Sequence, residues 1–306
     1  MRLSPDWSLR ARMLLALGGM ALLYAAFVGV AATWAMAELG NAGILLVAGV
    51  AAVLVYCQYR YAPTAALKTL DAERVDEADY PDLHARVGRL ASQADVPKPD
   101  VAVAPQSAPN AFATARGQDH AVVAVTEGLL DTVEGEELDA VLAHEIAHIQ
   151  HRDALVMSVV TFLVTVGALV VRNFWWFGDG GGDGGGGGGG DGGQPWFLIF
   201  VAVSLLAWVG GYLLTRLISR QREFAADRGA AALTGEPGAM AGAIETISRG
   251  MAATPEDDLR EHAELNALFL VPADTKSRLA DVMATHPDPE RRIERLSELA
   301  GEFERE

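Results

Sequence analysis

Two histidines four residues apart, with an acid between them, are the residues with the clearest chemical meaning. The chain reads His144-Glu145-Ile-Ala-His148. On an α-helix, positions i and i+4 share one face, so both imidazoles can bind the same metal ion. Glu145 directly follows the first histidine, where its carboxylate can take a proton from a water at that metal. The spacing therefore predicts a catalytic zinc site.

The sequence around this motif predicts the helix that the motif needs. Residues 134–151 are rich in strong helix formers, and acidic residues gather in the first turn, where the helix dipole favours them. Apolar residues recur at helical spacing and form one stripe; they are Leu138, Val141, Leu142, Ile146 and Ile149. A chance pair of histidines would lack this context, so we predict a genuine metal site.

A catalytic zinc has three protein ligands and one open position, so a third ligand must be found. One common arrangement places a histidine six residues after the second, but that position is Ala154. His151 would be crowded onto the same helix and is a poor candidate. Glu223 and Asp227 are better, because they are four residues apart and one carboxylate can bind the metal while the other orients a ligand histidine. Without the zinc motif, this segment would be interpreted as a surface helix with ion pairs.

Five motifs occur in the same order as in the HtpX-type membrane zinc peptidases, relatives of the CAAX prenyl proteases, which the whole chain resembles. They are Pro109-Asn110-Ala111-Phe112-Ala113-Thr114, Val125-Thr126-Glu127-Gly128-Leu129-Leu130, the zinc motif followed by Arg152-Asp153, Arg222-Glu223-Phe224-Ala225-Ala226-Asp227, and Thr285-His286-Pro287. The resemblance implies that one zinc ion per chain is bound by His144, His148 and Glu223. Glu145 would be the general base, and Asp227 would support a ligand.

The same resemblance implies a substrate site and an activity. An edge strand beside the cleft would pair with the substrate backbone; it consists of Asn110, Ala111, Phe112 and Ala113. His286 and Arg292 match positions that are thought to stabilise the transition state in this family. The implied activity is zinc-dependent hydrolysis of peptide bonds by a membrane-embedded endopeptidase, in the quality control of misfolded membrane proteins.

Four long apolar segments predict membrane-crossing helices. A helix needs roughly 20 apolar residues to cross the hydrocarbon core of a bilayer. The segments of sufficient length are approximately 13–36, 42–60, 154–172 and 196–218. The first is too long for the apolar core of a signal peptide, and a second follows closely, so we expect both to remain as a hairpin.

The positions of arginine and lysine predict the orientation of these segments. Basic residues precede the first segment, follow the second and mark the end of the fourth, whereas the long link at 173–195 has none. The positive-inside rule therefore predicts a multi-pass protein of the cell membrane, with both termini and the active site in the cytoplasm. The zinc-motif helix begins with acids that are costly at bilayer depth, so cleavage is expected at the membrane surface.

We predict an α+β fold that is mostly helical, with a zincin-like catalytic domain and four transmembrane helices. The expected regions are a transmembrane hairpin at 1–62, a first catalytic part at 63–153, a second hairpin at 154–218 and a second catalytic part at 219–306. The second hairpin contains a Gly/Asp-rich external loop at 178–193, which is expected to be a flexible coil.

Within the catalytic parts, helical patterns occur at 64–94, 237–251 and 288–300. Short apolar strands are predicted at 101–103 and 121–125, paired with the Asn110 segment. Core candidates in the first of these helices are Leu67, Leu70, Val75, Leu83, Val87 and Leu90. The region 252–284 has no clear pattern and is interpreted as a lid or a loop.

Charge and composition limit the possible partners. The net charge is −16, with 40 acidic residues against 24 lysines and arginines, which argues against nucleic acid. The expected partners are polypeptide or membrane-protein substrates and the lipid bilayer, and no residue pattern specifies an oligomeric state. Apolar residues make up 51% of the chain, which agrees with a membrane protein.

Three other functions share part of this pattern. A dedicated prenyl-protein protease of the CAAX type would use the same zinc site, but those relatives have more membrane spans around a large chamber. A non-enzymatic membrane scaffold with a vestigial zinc site would have no need of Glu145. A transporter is expected to carry paired ionisable residues within its spans, and these four segments contain almost none.

Overall fold

The computed structural model describes residues 7–172, 193–253 and 288–305. This part of the chain forms two compact units. One unit contains 60–156 together with the described residues of 219–306 and the first described turn; the other contains 10–59 and the described residues of 157–218.

Four long helices contain apolar stretches of sufficient length and hydropathy to cross a membrane. They are α1 (Trp7–Leu39), α2 (Asn41–Thr69), α6 (Asp153–Arg172) and α7 (Gly193–Thr234). Only 6–22% of each apolar window is buried within the protein, so these stretches expose apolar side chains as membrane helices do. The four predicted spans are confirmed at the expected positions.

Small and polar residues join these helices within their unit. The amide of Gln58 donates to the carbonyl of Ser158 and to the hydroxyl of Thr161, at 3.0 Å each. A Cβ atom at Gly167 would lie 2.9 Å from the carbonyl oxygen of Ser204, so glycine is required for the close approach of α6 and α7. Polar pairs and small residues of this kind are typical of helix contacts in membranes.

A small sheet lies in the other unit. Its strands are β1 (Glu73–Arg74), β2 (Asp100–Ala104), β3 (Ala111–Ala115) and β4 (Ala121–Thr126), in the order β1-β2-β4-β3. The central strand β4 is parallel to β2, antiparallel to β3 and buried at all six positions. Its alanines, valines and threonine suit a strand that is covered on both faces. Among the described strands, β3 is at the edge of the sheet.

Helices enclose this sheet and the zinc motif. They are α3 (Pro81–Gln93), α4 (Glu127–Thr132), α5 (Gly135–Gln150), α8 (Pro237–Ala253) and α9 (Pro289–Phe303). Helix α5 packs against α3, α8 and β3, and α9 packs against α8. The apolar stripe predicted for the zinc-motif helix is fully buried, and so are the alanines on its other faces. A helix buried on most sides holds its functional side chains in fixed positions.

The prediction of one continuous helix at 64–94 is wrong. Residues 64–94 are not one helix, because α2 ends at Thr69 and α3 begins at Pro81. Asp71 adopts φ 46°, and the Ala72 amide closes the end of α2 onto the Leu67 carbonyl at 2.9 Å, a left-handed helix end that the hydrophobic pattern does not reveal.

Strand pairing and core positions differ in detail from the predictions. Strand β2 does not pair with β3, because β4 lies between them. Of the six core candidates, only Val75 is not fully buried. Helices are confirmed at 237–251 and 288–300. Of the region 252–284, the first two residues end α8, and 254–284 lie outside the described residues, as does His286.

Candidate metal centre and active site

Helix α5 presents both histidines of the motif and the acid between them. His144 is completely buried, and Glu145 is only 3% exposed. The side chain of His148 keeps 14% of its surface exposed, so the centre is accessible on this side. The apolar residues of α5 are packed on the opposite faces, which leaves the two imidazoles directed at a shared point.

Helix α7 supplies the carboxylates because it lies unusually close to α5. A Cβ atom at Gly229 would lie 2.8 Å from the Cβ of Ala147, closer than side-chain carbons approach each other. Glycine on one helix and alanine on the other therefore permit the contact. Both residues stand next to the functional groups, since Ala147 precedes His148 and Gly229 follows Asp227 by two positions.

Three potential ligand atoms converge on one point. The Nε2 atoms of His144 and His148 are 3.1 Å apart. The Nε2 of His144 lies 3.5 Å from Oε2 of Glu223, and the Nε2 of His148 lies 3.5 Å from Oε1 of the same carboxylate. A tetrahedral zinc with ligands at about 2.0–2.2 Å would place its ligand atoms about 3.3–3.6 Å apart. Two imidazoles and one carboxylate are also a typical donor set for catalytic zinc. These residues therefore fit a zinc ion.

A buried carboxylate orients His144. Its Nδ1 lies 3.0 Å from Oδ1 of Asp227, so Nε2 is directed towards the metal position. Asp227 in turn receives two hydrogen bonds from Arg292 of α9, at 2.9 Å from Nε and 2.7 Å from Nη2. Arg292 is 1% exposed, and its Nη1 lies 3.8 Å from Glu223. The C-terminal helix thus reaches the centre through one arginine.

A second carboxylate, whose role its position in the sequence does not predict, orients His148. Oδ2 of Asp153 lies 2.6 Å from Nδ1 of His148, and Oδ1 of Asp153 lies 2.9 Å from Nε of Arg222. Asp153 and Arg222 both occur in the motifs noted in the sequence. Their contact depends on two helices meeting in space, which residue spacing alone does not show.

The predicted substrate segment lies next to α5. Residues 111–113 belong to the edge strand β3, and Asn110 precedes it, completely buried. The hydroxyl oxygen of Thr126 accepts hydrogen bonds from the backbone N–H of Asn110 at 2.9 Å and from the backbone N–H of Leu129 at 3.1 Å. One side chain therefore fixes the start of β3 and caps α4. The role of this segment in substrate binding stays a prediction, as do the transition-state roles of His286 and Arg292.

Comparison with known proteins identifies the family. Residues 77–300 match peptidase family M48. The chain belongs to this family. It is 41% identical to a "Protease HtpX homolog" of Moorella thermoacetica, over 99% of this chain and 98% of the relative. It is 38% identical to "Protease HtpX homolog 1" of Streptomyces coelicolor, over 99% and 96% of the two chains.

A solved structure supports the fold of this M48 peptidase. The crystal structure of S. mikatae Ste24p is similar with a TM-score of 0.54 and 17% identity, and the match covers 94% of this chain and 67% of that chain. The predicted family resemblance and the mostly helical α+β fold with four membrane helices are confirmed. The protein is a membrane metalloprotease.

The zinc affinity of this M48 peptidase is expected to depend on pH, because a proton competes with the metal for His144. Burial alone lowers the pKa of His144, but hydrogen bonds to Asp227 and Glu223 outweigh burial and raise the pKa to about 9. A proton on Nε2 occupies the metal position, so zinc affinity should rise about tenfold per pH unit below this pKa. Competition with a chelator between pH 6.5 and 9 measures this change in zinc affinity.

The same pKa predicts a stability change in the metal-free protein. Because the folded pKa is raised above 6.5, the protonated histidine stabilises the fold fully below pH 6.5. That contribution is lost as pH rises through about 9. A zinc affinity that is constant from pH 6.5 to 9 would contradict the proposed proton competition.

The close contact of α5 and α7 can be tested with one methyl group. Gly229→Ala is expected to destabilise the protein by about 1–3 kcal/mol through overpacking, although alanine favours helices. Gly238→Ala is the control, because an added Cβ there meets nothing within 4 Å and should not destabilise the protein. Thermal unfolding and zinc titration of both variants measure the difference; equal effects would show that the contact is not tight.

Proposed function

We propose that this protein is a zinc-dependent endopeptidase that cleaves membrane-protein and other polypeptide substrates at the cytoplasmic surface of the cell membrane. Its proposed task is the quality control of misfolded membrane proteins. The observation that carries the proposal is the convergence of His144, His148 and Glu223, which each offer one ligand atom within 4.8 Å of the others. Relatives named HtpX protease homologues match over nearly the whole chain, which supports the same activity.

The residues of the centre have different roles in peptide hydrolysis. His144, His148 and Glu223 would hold the zinc ion, which supplies a Lewis acid that polarises the scissile carbonyl and acidifies water. Glu145 takes a proton from the attacking water and delivers it to the leaving amine nitrogen. Asp227 and Asp153 hold the two imidazoles in the required orientation.

Charge stabilisation and substrate positioning fall to other elements. Arg292 is a buried cation 3.8 Å from Glu223, and together with His286 it would stabilise negative charge on the carbonyl oxygen in the transition state. The edge strand β3 would bind the substrate as an additional strand, so that main-chain hydrogen bonds place the scissile bond. Recognition through the backbone suits a peptidase that accepts many damaged substrates.

The position at the membrane surface is supported by the helices that carry the ligands. Helix α7 is unbroken from Gly193 to Thr234 and contains both an apolar stretch and Glu223. The first turn of α5 contains Glu136 and Glu137, which are unfavourable in the bilayer interior. The distribution of basic residues supports the cytoplasmic side. Protease access to a C-terminal tag only in inside-out vesicles would agree with this orientation.

Zinc-dependent cleavage in a membrane tests the proposal. The full-length protein is reconstituted into liposomes and given a denatured membrane protein as substrate. Cleavage should stop when a chelator removes zinc and return when zinc is restored. Cleavage that persists without zinc would overturn the proposal, and cleavage of a prenylated CAAX peptide alone would favour the prenyl-protein protease. A transporter would instead move zinc across the liposome membrane without cleavage.

A further inference from the structure

We propose that Asp153 and Arg222 form a clasp that joins the two separated halves of the metal centre and sets its zinc affinity. The inference rests on the proposed zinc site. Two of the three ligands precede α6, and the third lies in α7. The Asp153–Arg222 pair connects these two stretches of chain beside the ligands.

Both oxygens of Asp153 are engaged, each with a different half of the centre. Oδ2 lies 2.6 Å from Nδ1 of His148, so it fixes the tautomer and ring orientation that direct Nε2 to the metal. Oδ1 lies 2.9 Å from Nε of Arg222, which directly precedes the third ligand, Glu223. One carboxylate therefore relates the orientation of His148 to the position of α7.

The backbone before Asp153 is shaped for this contact. Arg152 adopts φ 56°, a left-handed conformation that is unfavourable for a residue with a side chain. Arg152 lies in the turn between α5 and the first residue of α6, Asp153. The turn brings the Asp153 carboxylate beside His148, five positions earlier in the chain. Unfavourable backbone conformations persist where the surrounding structure requires them, often at functional sites. The turn thus serves the placement of the Asp153 carboxylate.

The clasp is almost completely removed from water, which makes it effective. The side chains of Asp153 and Arg222 are 6% and 11% exposed, so solvent screens their attraction little. The ion pair of Asp139 with Arg86 and Arg89 provides a contrast on α5 itself. It joins α5 to α3, it is more exposed, and neither arginine is next to a ligand. It can stabilise the fold without acting on the metal.

Zinc affinity, measured apart from catalysis, tests the clasp. The full-length protein in detergent is titrated with zinc against a chelator, and the visible spectrum of its cobalt form is recorded. Asp153→Asn should weaken zinc binding by about 10–100-fold and change the cobalt spectrum. Arg222→Gln should weaken it by a smaller factor. The double variant should bind about as weakly as Asp153→Asn alone, because both residues act through the same contact.

Asp139→Asn is the matched control, since it removes an ion-paired carboxylate from α5, the helix that carries both ligand histidines. It should lower the melting temperature of the metal-free protein and leave zinc affinity unchanged. The clasp is refuted if folded Asp153→Asn and Arg222→Gln bind zinc as the wild type does, or if Asp139→Asn weakens zinc equally. If Asp153→Asn does not fold, Arg222→Gln alone decides. A wild-type protein that binds no zinc would instead refute the proposed function itself.

Discussion

Replacing Glu145 by glutamine is expected to abolish peptide cleavage while zinc remains bound. Glutamine has nearly the same shape as glutamate, but it cannot take a proton from water or return one to the leaving amine. Loss of a positioned general base lowers the rate by about 10²–10⁴-fold. Glu145 is only 3% exposed and does not belong to the three converging ligands, so the ligand set is unchanged. Zinc content and kcat, measured on the same preparation, test both parts.

Glu136→Gln is the control for this variant. Glu136 lies on the same helix but is exposed in its first turn, so the substitution should affect neither zinc nor turnover. A Glu145→Gln protein that cleaves at the wild-type rate would remove Glu145 from the base role. If the expected loss is observed, the inactive variant also becomes a trap, because substrates that enter the site remain uncleaved and can be identified after isolation.

The elements that could be predicted from the sequence are those whose signal is local. The zinc-motif helix is visible because His144 and His148 share a face with a regular apolar stripe behind them. The membrane helices are visible because length and hydropathy alone define them. The prediction of Glu223 as the third ligand required more than local spacing, because about eighty residues separate it from the motif. The resemblance to a known family decided between Glu223 and Asp227 as the ligand.

The parts that the sequence did not reveal depend on tertiary contacts or on single backbone angles. The break after Thr69 depends on one left-handed residue, Asp71, within a pattern that otherwise continues the helix. The role of Asp153 depends on a similar residue, Arg152, and on the approach of α7. Neither feature changes the hydrophobic periodicity of the sequence, so the spacing of residues cannot predict the helix break or the role of Asp153.

Arg292 shows how a family role and an observed contact can both be informative. The family resemblance implies that Arg292 stabilises the transition state. In the structure its guanidinium donates two hydrogen bonds to Asp227, the carboxylate that orients His144. The 3.8 Å distance to Glu223 keeps its charge close to the ligands. The same cation can therefore stabilise the buried carboxylates before reaction and favour negative charge during it. Sequence alone cannot separate these two effects.

Glu223→Ala is expected to remove zinc rather than to slow a single chemical step. The substitution deletes one of three ligands, and two imidazoles on one helix are left to hold the ion. Loss of a supporting residue already costs about 10–100-fold in metal affinity, so loss of a ligand should exceed about 100-fold. The two histidines also lose the neighbouring carboxylate that now lies 3.5 Å from each Nε2. Zinc titration against a chelator gives the affinity.

Comparison with Glu145→Gln and with Glu245→Ala makes the Glu223 result specific. Glu245 is exposed on α8, so its loss should change neither zinc affinity nor cleavage. Excess zinc should restore part of the activity of Glu223→Ala but none of the activity of Glu145→Gln, because one lacks a ligand and the other lacks the base. A Glu223→Ala protein with wild-type zinc affinity would show that α7 does not complete the metal centre, and the geometry of His144 and His148 would then require another third ligand.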